Sequence, residues 1–99
     1  MSKNTLLLEM NNYYERIKCQ NFVPDNDRKR LKFEAVKFNE DGSEIDKEIA
    51  CLISKILESI FNELQHARND GERSHMVDLH NEILALFQSM NFSDNEGCA

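Results

Sequence analysis

A chain of 99 residues with 40% hydrophobic and 30% charged content fits one globular domain with a modest core, near the size at which oligomerisation often adds burial. Three glycines and one proline argue against a loop-rich or all-β chain and favour helix, and the early apolar run Leu6-Leu7-Leu8 is too short for a signal-peptide core or a membrane span. The net charge of −6 divides unevenly: eight Lys/Arg against five Asp/Glu over 1–38 give +3, and four against thirteen over 39–99 give −9, so the two parts should attract each other, within a chain or between chains.

From Asn4 or Thr5, either of which can cap, a first helix is predicted to about Cys19, with Leu6, Met10, Tyr13 and Ile17 in one stripe and Leu7 and Tyr14 broadening it. Pro24 and Asp25-Asn26-Asp27 then predict a turn. The run "RKRLKFEAVKF", Arg28 to Phe38, reads two ways. As a helix it aligns Leu31, Ala35 and Phe38 and throws Phe33 and Val36 to the far side; as a strand it alternates, with a bulge at Ala35-Val36, and the pattern taken alone slightly favours the strand. A lone strand needs a partner for its backbone groups, and the helical remainder of the chain tips the reading to helix.

Ser43 with Asp46 reads as a capping box opening a helix to about Arg68, Asn69-Asp70-Gly71 as a stop signal, and Glu72 to Met90 as the next helix. At about 100° per residue, the apolar residues of each of these two helices spread over roughly half the circumference, and the short connection makes them an antiparallel hairpin. The fold expected is therefore mainly α, a small helical bundle built on a hairpin over 43–68 and 72–90 plus the N-terminal helix. The alternative is α+β, with a short hairpin or edge strand at 29–38. One domain over 1–91 is expected, with a flexible tail over 92–99.

Two wide stripes are more than one neighbour can cover, which predicts a self-association or partner face made of Ile49, Leu52, Ile53, Ile56, Ile60, Phe61, Leu79, Ile83, Leu86, Phe87 and Met90. The basic run with its interleaved phenylalanine offers Arg28, Lys29, Arg30 and Lys32 as phosphate contacts, although salt bridges to the acidic helices compete for them. His66 and His75 lie at equal distances from the hairpin turn, but no zinc-ligand spacing accompanies them. His80 falls inside the apolar arc and reads as a core or interface histidine. Cys19, Cys51 and Cys98 are odd in number and lack C-x-x-C spacing, which predicts reduced thiols and a cytoplasmic protein. Gly42, Gly71 and Gly97 are isolated, so there is no phosphate loop, and no nucleophile stands with a positioned base.

In layout, the apolar residues Ile56, Ile60-Phe61, Leu64, Leu84 and Leu86 resemble the small helical biofilm and acid-resistance regulators of enteric bacteria. The resemblance spans less than half of the chain, rests on apolar spacing, and carries over no functional residue. The function expected from the residues is a non-catalytic protein–protein interaction module, a small regulator, adaptor or inhibitor acting as a homodimer or on a basic partner. It needs no cofactor and no membrane. A nucleic-acid-binding regulator using 28–37 is the alternative.

Overall fold

The computed structural model describes residues 2–92, with side chains from Lys3 onward. Four helices follow one another: α1 (Ser2–Gln20), α2 (Asp25–Glu40), α3 (Lys47–Gln65) and α4 (Asp70–Phe87). They pack as a closed ring in which α1 lies against α2 and α3, and α4 lies against α3 and α2. The ambiguous run is helical, and the helix reading places its residues correctly: Leu31, Ala35 and Phe38 are buried while Phe33 and Val36 are exposed. No strand forms among the described residues, so the α+β alternative is not needed.

Local chemistry accounts for each boundary. Asn21 closes α1 in the left-handed region, at φ 54°, with its N–H donating to the Ile17 carbonyl at 3.1 Å. Pro24, extended and unable to donate, opens α2 rather than a free turn, and Asp25 and Asp27 place negative charge in the first turn, where the helix dipole favours it. Gly42, at φ 76°, ends α2: its N–H donates to the Asn39 carbonyl and that of Ser43 to the Phe38 carbonyl, the paired bonds of a Schellman ending.

The start of α3 differs from the sequence reading. Asp46, not Ser43, is the cap: its carboxylate accepts the Ile49 N–H at 3.0 Å, and residues 43–45 stay outside the helix. Asn69 likewise caps α4 by accepting the Glu72 N–H at 2.9 Å, so the supposed stop signal is a start signal. Both hairpin helices are thus shorter than 43–68 and 72–90, and nearly equal, at 19 and 18 residues. With the connection centred on 66–69, Leu57 comes level with Val77 and Ile53 with Leu84, to within about half a turn.

The core is one cluster. α1 gives Leu6, Met10, Tyr13 and Ile17, α3 gives Ile49, Leu52, Ile56 and Ile60, and α4 gives Met76, Leu79, Ile83 and Phe87. Val23 fills in from the α1–α2 connection. Past α4 the chain returns over the start of α3, where the Ile45 N–H donates to the Asn91 carbonyl at 2.9 Å, Ile45 bridges Phe92, and both Ile45 and Met90 are buried. Apart from Phe92, the tail expected over 92–99 lies outside the described residues. Cys19 is an exposed free thiol, Cys51 is half-buried on α3, and Cys98 lies outside the described residues.

The cap assignment has a direct consequence. Asp46→Ala should cost about 1 kcal/mol, whereas Ser43→Ala should stay within about 0.5 kcal/mol of the parent. Thermal or urea unfolding followed by circular dichroism checks the pair, and equal losses would return the cap to Ser43.

Candidate interaction surfaces

One flank of α4 is committed inward. The Tyr13 hydroxyl on α1 donates to Glu82 Oε1 at 2.9 Å, and Arg28 on α2 meets the same carboxylate with Nε at 3.2 Å from both oxygens and Nη2 at 3.1 Å from Oε2. One α4 carboxylate therefore ties two other helices. Burial, followed by the neighbouring Glu82 charge, pushes the Tyr13 phenol well above its ordinary value, so it stays a donor, and the hydrogen bond to Glu82 raises the Arg28 guanidinium. Two turns earlier on the same flank, His75 Nε2 accepts the Val23 N–H at 3.1 Å, and the ring stacks on Phe22 at 4.7 Å between centroids.

Further ion pairs complete the frame. Asp27, buried, receives Arg16 from α1 at 2.9 Å and Arg30 at 3.5 Å. Lys3 spans from α1 to Asp46 at 2.6 Å and Glu48 at 3.0 Å, and its bond to Asp46, with the Ile49 N–H second, holds that carboxyl below the usual aspartate value. Lys3 and Arg28 carry the expected attraction between the basic and acidic parts, within one chain.

The predicted self-association residues divide. Ile49, Leu52, Ile56, Ile60, Leu79, Ile83, Phe87 and Met90 are buried in the chain's own core, Ile53 and Leu86 are half-buried, and Phe61 is 60% exposed. The row thought to need a second copy is covered by α1 and α2. Of the phosphate candidates, Arg28 is held by Glu82 and Arg30 by Asp27, while Lys29 and Lys32 are exposed and make no ion pair among the described residues. The two histidines imagined together part company: His66 Nδ1 lies 2.9 Å from the Asn62 carbonyl on its own helix, and His75 turns to the α1–α2 connection. His80 is half-buried.

Beyond Leu8, Phe22 and Phe92, the exposed large apolar side chains lie on two stretches of surface. The first is the outer seam of the hairpin, where Val77 is 41% and Leu84 40% exposed alongside Phe61. At about 100° per residue, Phe61 lies on the flank of α3 away from Leu52, which lines the side shared with α1, and Val77 and Leu84 lie on the flank of α4 away from His75 and Glu82. Both flanks turn to the seam, over half-buried Ile53, Leu57 and Leu64. The second is the outward side of α2, where Phe33 is 65% and Val36 44% exposed among Lys29, Lys32 and Lys37. Periodicity exposes both sets to view but not their fate, since a wide stripe does not say which of its flanks a neighbour will take.

No protein-family model, no curated protein and no solved structure matches this chain. The resemblance in apolar spacing therefore remains one of pattern. No helix is long and apolar enough to cross a membrane among the described residues.

The histidine contact is pH-dependent with a defined sign. Only neutral imidazole, protonated on Nδ1, can accept the Val23 N–H, and burial, followed by the Arg28 charge, lowers the His75 pKa from its ordinary 6.5. Between the folded and unfolded values the unfolded chain binds more protons, so this contribution is whole above about 6.5 and is lost as pH falls through the folded value. The melting temperature should drop between pH 7 and pH 5, and His75→Gln, whose amide oxygen can take the same N–H, should flatten that step. An identical pH profile for parent and variant would remove His75 from the account.

Proposed function

We propose that this protein is a non-catalytic protein–protein interaction module, a small regulator, adaptor or inhibitor, that pairs with a second copy of itself through the outer seam of the α3–α4 hairpin. The observation that carries this reading is the row of Phe61, Val77 and Leu84 left in solvent after the core is closed. Each fully covered side chain of this size contributes about 1.5–3 kcal/mol, and a two-fold pairing of the seam covers all of them at once on both copies. Ser54, Glu58, Gln65 and Asn81, all exposed, form the polar rim that such a contact uses.

Nucleic-acid binding is the weaker reading. Bidentate phosphate recognition relies on the arginine fork, and both arginines of the basic run are engaged with carboxylates of this chain.

The test must use residues outside the core. Ile56 and Ile60 are fully buried, so aspartate at either position unfolds the monomer and says nothing about pairing. Phe61→Asp, in contrast, should keep its helical circular dichroism and melting behaviour while converting a species of twice the 11.6 kDa chain mass into one of single mass in light scattering. A parent protein that runs at single mass across the accessible concentration range would overturn the pairing.

A further inference from the structure

The outward side of α2 is a second amphipathic face on a helix that has already given one face to the core. Leu31, Ala35 and Phe38 point inward, and on the opposite side Lys29, Lys32, Phe33, Val36 and Lys37 recur at the three- and four-residue spacing of a single stripe. Its charges are selected by what the fold consumes. Arg28 is drawn to Glu82 and Arg30 to Asp27, and Glu34 and Glu9 line the groove between α1 and α2 along which one edge of the stripe, Lys29 and Phe33, also lies. Asp25 stands at the N-terminal end beside Arg28, and Glu40 at the C-terminal end, which leaves the middle of the stripe cationic. The three lysines make no ion pair among the described residues, and a phenylalanine and a valine lie between them.

We propose that this face docks an acidic amphipathic helix of another protein, deepening the interaction-module reading and resting on it. Phe33 and Val36 sit one turn apart on the outward side of α2, where the apolar stripe of a second helix can pack across them, and the lysines flank them where carboxylates beside that stripe would fall. Charge complementarity of this kind favours a partner with matched, discrete carboxylates over a polyphosphate. The chain as a whole carries −6, so a nucleic acid meets a repulsive field before it meets three lysines.

The probe is a synthetic helical peptide about 18 residues long, with Leu at i, i+3, i+4 and i+7 and Glu along both edges of that stripe. Its control carries Lys in place of every Glu. With the full chain, the acidic peptide should bind saturably, shift the amide resonances of residues 29–37, and lose affinity about tenfold when Lys29→Glu, Lys32→Glu and Lys37→Glu are combined. Phe33→Ala should weaken it as well, and both variants should melt like the parent because none of these side chains is in the core. Several outcomes overturn the proposal: no saturable binding, equal binding of the lysine peptide, or displacement of the acidic peptide by a single-stranded oligonucleotide at lower concentration. Shifts centred on Phe61, Val77 and Leu84 would also overturn it while leaving the module reading in place. A single-mass parent in light scattering, with peptide shifts still on 29–37, would instead remove the pairing and keep the α2 face.

Discussion

The constraint on which this fold depends is the breadth of the apolar arc on α3. Ile49, Leu52, Ile56 and Ile60 occupy its centre, and Ile53, Leu57 and Leu64 extend it to one side. One neighbour cannot cover such an arc. The chain meets the need by laying α4 along one flank and α1 along the other, then joining α1 to α4 through α2, so that the ring closes upon itself. Val23 and Ile45 plug two ends of that ring, and the return of the chain after α4 brings Met90 and Phe92 over the start of α3. A large apolar deficit of the hairpin on paper becomes three exposed side chains, Phe61, Val77 and Leu84, on its outer seam.

Apolar packing alone would leave the ring free to slide, because ridges and grooves of similar side chains tolerate several registers. The polar contacts remove that freedom. Glu82 can receive Tyr13 and Arg28 together only if α4 lies at one height against α1 and α2, and His75 can take the Val23 N–H only two turns away on the same flank. At the opposite end, Lys3 on Asp46 sets α1 against the start of α3. The Tyr13, Arg28 and His75 contacts involve half-buried or buried partners whose desolvation is compensated only by good geometry, so they specify an arrangement more than they stabilise it.

The same economy shapes the surface. Arginines, whose planar forks suit fixed carboxylates, are spent on Glu82 and Asp27, whereas the lysines of α2 are left in water with Phe33 and Val36 between them. On the other side, the hairpin seam is apolar with an uncharged and acidic rim. The molecule thus presents two unlike faces on different helices, and the proposed pairing and docking each rest on one of them.

Much of this was legible in the residues. Periodicity is local, so the inward stripe Leu6/Met10/Tyr13/Ile17 follows from spacing alone, whereas Leu31/Ala35/Phe38 inward and Phe33 and Val36 outward follow only once the helical remainder of the chain decides between helix and strand for that run. Cap identity was half legible: Ser43, Asp46 and Asn69 all have the right chemistry, and the structure assigns the caps to Asp46, next to Ile45 held by Asn91, and to Asn69. The fate of the basic run and of the wide stripes was not legible. Tyr13 and Glu82 stand 69 residues apart, and no local signal couples them. By itself, the sequence determined which residues want to be inside. The tertiary structure alone decided which flanks find cover within the chain, which cations are neutralised and which faces remain, because those outcomes depend on the simultaneous placement of helices distant in sequence.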